Sequence, residues 1–514
     1  MGVIPVRFCE KLDFLMNITK TSNSALGQKL KLDASYISRL RKGQRSALKD
    51  AACIRAMAEY FARNCREEYQ RRAVCEALGA GAASASALPE QLAAWLTGES
   101  EAEAAAVESF LSGFSRFSFR PAADAPPPPP NAAAGFPQED VSIYYGIEGK
   151  RRAAVDFLNG ILAQDRPQTL LLFSDEATDW MTADPVFASR WACLMGRLLA
   201  AGNRIKIIHT VSRDPDEMLS AIRQWMPLYM TGLIEPYFYP RRRDGVFKRT
   251  LFIAPGVSAV VSNSVGGSIG HAANVLTRNT GLIASYAEEF CRYLSLCRPL
   301  MRVYTAKDRA AYFEALLAFE KAKGSAFIRT QSLSWLTMPE NVSRGIVGRL
   351  GGSQADFGAL RESRARLFEK NIKSNSFSEI VPLFGEEQVK SGRVKVAFSE
   401  MMLGGTACYT PEEYIRHLEH LAELLRTYQN FHVHLIREEA ESPYMVYARE
   451  ELGVIIAKTS APPVSWAISE PNLAAAFWDY LQSLTGERAY RQPNDAESEK
   501  RLLDYIQRLK QRAE

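Results

Sequence analysis

The sequence predicts a multidomain chain, with an all-α head followed by an α/β body of two similar lobes. Three observations predict it. Through residue 116 the apolar residues recur at helical spacing. After Asp140 short apolar runs alternate with helical stretches, the pattern of an α/β layer fold. The order of those runs then occurs a second time. A length of 514 residues suits about three domains. The expected divisions are 1–78, 79–140, 141–300 and 301–514.

The head begins with a helix over 5–20, where Phe8, Leu12, Leu15 and Met16 share one face. Ser24 to Arg45, SALGQKLKLDASYISRLRKGQR, reads as two short helices and a tight turn. Leu26, Leu30 and Leu32 supply the apolar side of the first, and Ile37 and Leu40 that of the second. Asp33 or Ser35 would accept from the free N–H groups that open the second helix. Gly43 stands where a left-handed cap is wanted. Tyr36, Ser38, Arg39, Arg41 and Lys42 are left outward. Residues 48–78 add one or two helices, with Ile54, Met57, Ala58 and Phe61 at helical spacing.

The stretch resembles the helix-turn-helix of the phage-repressor (Xre-like) family. Gly27 matches the small residue early in that pattern, and Ile37 and Leu40 match the apolar positions after the turn. The closing Arg-Leu-Arg-Lys-Gly-Gln-Arg is also like the family. Lys31 departs from it, standing where a turn glycine is usual. The resemblance implies a compact helical domain that places its second short helix in a DNA major groove. Ala34, Ser35, Tyr36, Ser38 and Arg39 would face bases, and Lys29, Lys42 and Arg45 would meet phosphates. Arg39 suits guanine, whose two acceptors match its fork. An ordinary surface helical hairpin is the alternative.

Charge is divided unevenly. Residues 1–72 carry 15 Lys+Arg and 7 Asp+Glu, a net of +8 in a chain of net +5, which leaves −3 on the remainder. A basic head on a mildly acidic body fits nucleic-acid binding by the head alone. The eight cysteines contain no C-x-x-C pair, and most lie in apolar helical text, as small buried hydrophobes do. The start has charges within its apolar run, unlike a signal peptide, and no uncharged run approaches a membrane span. A cytoplasmic, reduced protein is expected.

Residues 79–87 are Ala/Gly/Ser, a flexible joint. Residues 88–116 read as a helical pair that docks on the head or on a second subunit. Five prolines at 126–130 form a semi-rigid spacer, with an SH3-type ligand as the alternative. In the first lobe, strands are expected at 169–174, 204–210, 234–239, 249–254 and 258–262, with helices over 185–201, 214–225 and 281–298. In the second, strands are expected at 394–399, 431–436, 445–448, 453–458 and 464–468, with helices over 410–426 and 471–484. A helix around 305–322 and a charged stretch at 355–373 would join the lobes, and a charged amphipathic helix over 494–512 would end the chain. The duplication aligns the strand ending at His209 with the strand holding His434.

This order also resembles the phospholipase D-like fold, which implies a His-x-Lys from each lobe, one histidine as nucleophile and one as acid. Neither His209-Thr210-Val211 nor His434-Leu435-Ile436 has the lysine, and Ser262-Asn263-Ser264 matches the family's Ser-x-Asn only loosely. A degenerate site would remain as a ligand-binding cleft, with His209, Arg241, Asn263 and His434 as its candidates; histidines bonded within the core are the alternative. His432 and His434 share a strand face but lack further metal ligands. His417 and His420 lack zinc-protease spacing and read as a solvated helix face. Arg241-Arg242-Arg243 reads as an anion grip or a solvated turn, and the glycine-rich 266–270 loop lacks the P-loop Lys-Ser/Thr.

The expected function is a DNA-binding transcriptional regulator whose two-lobed body senses a ligand or partner. The alternatives are a DNA-targeted phosphodiesterase and a protein-binding scaffold. Expected partners are double-stranded DNA, a small-molecule or protein effector and a second copy of the chain, since two half-sites one turn apart give affinity that a single short helix rarely has. No membrane, cofactor, metal or catalysis is expected.

Overall fold

The computed structural model describes residues 8–41, 51–78, 88–97, 100–116, 140–176, 179–209, 215–240, 246–266, 268–350, 354–437, 443–450, 452–485 and 496–511. The chain divides into two compact units. One holds Met1–Ser115, Asp214–Ser220 and Ala306–Glu514; the other holds Arg116–Arg213 and Ala221–Thr305. The Pro126–Pro130 run and Gly43 lie outside the described residues.

Helices come first: α1 (Phe8–Ile18), α2 (Asn23–Leu30), α3 (Ala34–Arg41), α4 (Ala51–Asn64), α5 (Glu68–Ala77), α6 (Leu88–Thr97) and α7 (Ser100–Arg116). Their apolar stripes meet in one core. Phe8, Leu12, Leu15 and Met16 of α1 pack with Leu26, Ile37, Leu40, Ile54, Met57 and Phe61. The expected helical pair goes two ways. Leu88, Leu92 and Leu96 of α6 join the head core, and Lys11 donates to the Trp95 carbonyl at 2.7 Å. Phe110 and Phe114 of α7 instead pack on Trp466, at 6.1 and 4.8 Å between ring centroids, and all three are buried. The head is thereby joined to the second lobe through α7.

The first lobe comprises β1 (Val141–Tyr145), α8 (Gly146–Leu162), β2 (Thr169–Ser174), α9 (Asp179–Thr182), α10 (Pro185–Ala200), β3 (Arg204–His209), α11 (Pro215–Tyr229), β4 (Ile234–Phe238), β5 (Phe247–Ala254), β6 (Ser258–Val265), β7 (Ala273–Thr277), α12 (Thr280–Ser295), β8 (Arg298–Pro299) and β9 (Met301–Thr305). Its sheet runs β1-β7-β6-β5-β2-β3-β4-β8. β2, β3 and β4 are parallel, and β5, β6 and β7 are antiparallel additions beside β2.

The second lobe comprises α13 (Arg309–Lys321), β10 (Ala326–Arg329), α14 (Glu340–Leu350), α15 (Gln354–Ile372), β11 (Phe377–Leu383), α16 (Glu386–Lys390), α17 (Ser399–Leu403), α18 (Pro411–Thr427), β12 (Phe431–Arg437), β13 (Tyr444–Arg449), β14 (Gly453–Lys458), β15 (Val464–Ile468), α19 (Pro471–Ser483) and α20 (Ala496–Gln511). Here the order is β12-β11-β10-β13-β14-β15, with β9 as the seventh strand. The parallel trio β10, β11, β12 and the antiparallel trio β13, β14, β15 repeat the first lobe strand for strand. In both lobes the helix that follows the antiparallel trio lies on it, α12 on β5 and β6, α19 on β13 and β14.

The duplication is real, but its expected alignment was one strand out. β3 corresponds to β11, and β12 corresponds to β4, so His209 and His434 are not equivalent. β10 and β11 carry too little local pattern to be marked as strands. β10 is four residues long, and Glu379 and Pro382 interrupt the apolar text of β11. The expected strand at 394–399 is not one: Lys395 makes a single bridge to Cys408, and Ser399 already opens α17. The helix and the charged stretch expected to join the lobes are α13 and α15, which pack inside the second lobe through a buried Arg364–Glu320 pair at 2.7 Å. The cysteines are less buried than expected, for only Cys65 is buried and Cys291 is exposed.

Candidate functional site

The head surface is built from the turn between α2 and α3. Ser22 caps α2, its hydroxyl accepting from Ala25 N–H at 3.1 Å. Lys31 ends α2 in the left-handed region at φ +57°. That turn lets Leu32 N–H reach back to the Gly27 carbonyl at 2.8 Å. Of the two candidate caps of α3, Asp33 serves, its carboxylate accepting from Ser35 N–H at 2.7 Å. Hydrogen bonds from Ser35 hold that carboxyl below its ordinary pKa.

Ile37 and Leu40 are fully buried under α3, and Leu26 is buried under α2. Ser35 and Lys29 are exposed; Ala34, Tyr36, Ser38 and Arg39 are half-buried. The Arg39 guanidinium lies along its own helix, donating to the Ser35 carbonyl and hydroxyl, both at 3.2 Å. Arg41 is not an outward group as expected. It donates to Asp13 at 2.5 Å and to Asn23 at 3.1 Å, tying α3 to α1 and α2. Lys42 and Arg45 lie outside the described residues.

The candidates in the body lie on different strands. His209 ends β3, where its Nε2 shares a short hydrogen bond with the Tyr229 hydroxyl and its ring meets Trp225 edge-on. Burial pulls its pKa down to about 4. Asn263 is exposed on β6, and two strands, β5 and β2, stand between it and β3. At ~4.8 Å per strand that is about 14 Å. His434 belongs to β12 of the second lobe, its ring 5.8 Å from Phe327. Arg241 lies outside the described residues. Nearby Arg249 is paired with Glu289 at 2.7 Å.

Two buried polar clusters escaped the sequence reading. In the first lobe Lys150 of α8 is fully buried against Glu176, and donates to Thr250 at 2.7 Å. Ser264 donates to the same carboxylate at 3.0 Å, and Trp180 lies 5.0 Å from the ammonium. Burial lowers the Lys150 pKa, with the Asp175 charge opposing. In the second lobe Glu379 of β11 is fully buried, accepting from Ser334 N–H and the Thr337 hydroxyl, each at 3.1 Å. Burial pushes its pKa up to about 7, against those two bonds. His417 continues the cluster, bonded to Thr337 at 3.2 Å and Tyr409 at 3.1 Å. It faces the core rather than solvent, because the apolar stripe of α18 includes its position. A charged residue inside an otherwise apolar strand, as in Phe-Ser-Glu-Ile-Val, was the available signal.

The second lobe also holds a cavity of about 260 Å³. It lies beyond the carboxyl end of β10, lined by Gln331, by Lys395, Ser399, Glu400 and Thr406, and by Thr459 and Ser460. Among the described residues no group of three metal-ligating side chains occurs, and no helix is long and apolar enough to cross a membrane.

No protein family and no curated protein matches this chain in sequence. Among solved structures it is similar to TrmBL2, an archaeal chromatin protein with a novel mode of DNA binding, at 14% identity and a TM-score of 0.23. That match covers 54% of this chain and 98% of TrmBL2. It is similar also to polyphosphate kinase from Porphyromonas gingivalis, at 11% identity and a TM-score of 0.22, over 71% of this chain and 56% of the kinase. At such scores neither likeness carries an argument about fold or function.

Proposed function

We propose that this chain is a sequence-specific DNA-binding regulator, with α3 as the element that enters the major groove and the two-lobed body as the sensor. The surface of α3 carries the proposal. An eight-residue helix is seated on two fully buried residues, Ile37 and Leu40, and presents Ser35, Ser38 and Arg39 outward. Arg41, bonded to Asp13 and Asn23, fixes the angle at which that face leaves the head. Hydrogen-bonding side chains on a rigid, narrow helix are what base-edge readout needs. Lys29, exposed on α2, would meet the phosphate backbone. Two copies of the chain on two half-sites supply the affinity. In this reading His209, desolvated and bonded to Tyr229, serves the core of its lobe. An effector would shift the equilibrium between two body states through differential affinity.

Selection of bound fragments from a random DNA library, with wild type and Arg39→Ala, tests the reading. A two-fold-related site is expected, weakened in the variant by about 1–3 kcal/mol at one base pair of each half-site. Binding that shows no sequence preference and falls steeply with salt would refute it.

A further inference from the structure

The two edges of the first lobe's sheet are built differently. At one end stands β8, two residues long, whose Arg298 and Pro299 pair with Phe238 and Tyr237 of β4. A very short edge strand with a charge and a proline resists the addition of another strand. At the other end stands β1, which carries no charge and no proline and pairs with β7 without a bulge. Its Val141, Ile143 and Tyr145 are 37%, 53% and 71% exposed.

The backbone of β1 is open at this edge as well. Arg278 N–H donates to the Asp140 carbonyl at 2.7 Å, and Gly146 N–H donates to the Ala272 carbonyl at 2.9 Å. Bonded pairs alternate along an antiparallel ladder. In this register the pairs between those two bonds that reach β7 are Ser142 with Leu276 and Tyr144 with Asn274. The N–H and C=O groups of Val141, Ile143 and Tyr145 therefore point away from β7, toward the outer edge. Among the described residues no strand lies beyond that edge. The opposite face of β1 belongs to the lobe: Tyr144 donates to Asp156 of α8 at 2.8 Å, and α8 packs on β1 and β7.

We propose that β1 pairs with β1 of a second copy of this chain, antiparallel about a two-fold axis at Ile143. That register sets Ile143 opposite Ile143 of the partner subunit, and Val141 opposite Tyr145 of the partner subunit. All of these are bonded pairs, in which the two residues exchange both N–H···O=C bonds. β-Branched and aromatic side chains opposite one another are favourable cross-strand pairs. Asp140 flanks the strand and falls opposite Gly146 of the partner subunit, so the two Asp140 carboxylates stand roughly 20 Å apart along the ribbon. The sequence of β1 thus supplies its own complement. Pairing uses both open edges at once and leaves β8 at each outer end, so assembly stops at two copies. The inference rests on the regulator reading, whose second copy it places, yet its test uses no DNA.

The test is sedimentation of the full chain over a range of micromolar concentrations, together with oxidative cross-linking. Wild type is expected to be a dimer. Ile143→Lys sets two ammonium groups face to face, and should weaken the dimer by about tenfold or more with circular dichroism unchanged. Bonded pairs hold Cα atoms about 5.5 Å apart, within reach of a disulfide. Ile143→Cys should therefore link two copies under mild oxidation. Val141→Cys should not, because the same position in the second copy lies roughly 14 Å away along the ribbon. Wild type, with Cys291 exposed, sets the background. Should Ile143→Lys fail to fold, the two cysteine variants still test the register. The proposal is overturned if wild type is a monomer throughout, if the dimer persists undiminished in folded Ile143→Lys, or if Val141→Cys links as readily as Ile143→Cys. A monomer that still selects a two-fold-related DNA site would overturn the pairing and leave the regulator reading standing. A β1 dimer without sequence preference on DNA would do the reverse.

Discussion

Two substitutions in the turn between α2 and α3 should act in opposite directions, and the signs follow from geometry. Gly27 is a helical glycine, so replacement by alanine would ordinarily stabilise by about 0.5–1 kcal/mol. A Cβ built at this position, however, lies 2.7 Å from the Leu32 carbonyl oxygen, a backbone atom, and 3.5 Å from Ala34 N. The turn cannot retreat freely, because Leu32 N–H is bonded back to Gly27. Overpacking of this kind costs typically 1–3 kcal/mol, which leaves Gly27→Ala destabilising by about 1–2 kcal/mol. Lys31, exposed at φ +57°, pays the left-handed penalty of a residue with a Cβ. Lys31→Gly relieves it and loses some of the gain to unfolded-state entropy, so it should stabilise by up to about 1 kcal/mol. Amide hydrogen exchange read by mass spectrometry on the full chain resolves both. Peptides spanning α2 and α3 should exchange about 5–30 times faster in Gly27→Ala and more slowly in Lys31→Gly. Slower exchange in Gly27→Ala would mean that α2 ends as a free helix, and the turn geometry would be refuted.

Two further outcomes concern the buried charges of the body. Lys150→Met leaves the Glu176 carboxylate buried without its cation, and should cost about 3–5 kcal/mol; Lys150→Met with Glu176→Leu should recover most of it, as read by urea denaturation. Glu379 has a folded pKa raised to about 7 by burial. Its protonated form is therefore the one the fold prefers. The stability it contributes is full below the ordinary carboxylate range and is lost as pH rises toward 7, by about 3 kcal/mol in all. Glu379→Gln keeps an acceptor for Ser334 and Thr337, and should exceed wild type in stability above pH 7 while matching it near pH 4. His417, held down at about 3, pulls the other way as pH falls, but equally in both proteins. A variant that tracks wild type across this range would show that Glu379 is ionised and paid for by its hydrogen bonds.

The head was legible because its signals are local. Helical spacing of Phe8, Leu12, Leu15 and Met16 needs nothing from the rest of the chain, and α1 buries those residues. The long apolar strands were legible for the same reason. Thr169–Ser174, Gly453–Lys458 and Val464–Ile468 stand at the residues the sequence marked. β1 and β7 were not marked: β1 is a half-exposed edge strand whose Val141, Ile143 and Tyr145 all face solvent. VKVAFS at 394–399 misled in the other direction. All of its residues except Lys395 are buried, but a left-handed Phe398 and the early start of α17 turn them into a wall of the cavity instead of a strand. The polar clusters could not be read, since Lys150 and Thr250 are a hundred positions apart, and only the sheet brings them together.

The duplication gives the cavity a comparison inside the same chain. Glu176 stands two residues past the end of β2, and Gln331 two residues past the end of β10, its counterpart. Ligands in open α/β sheets bind outside the carboxyl ends of parallel strands, so both positions are places where a site would form. In the first lobe that place is closed. Glu176 is fully occupied by Lys150, Thr250 and Ser264 with all its oxygens inside protein. In the second, the neutral Gln331 borders an open cavity, and the charges sit on opposite side chains of its wall. A buried Lys–Glu pair costs several kcal/mol of desolvation per ion before its attraction is counted. In the first lobe that cost is met inside the fold, where Lys150, Thr250 and Ser264 surround the Glu176 carboxylate.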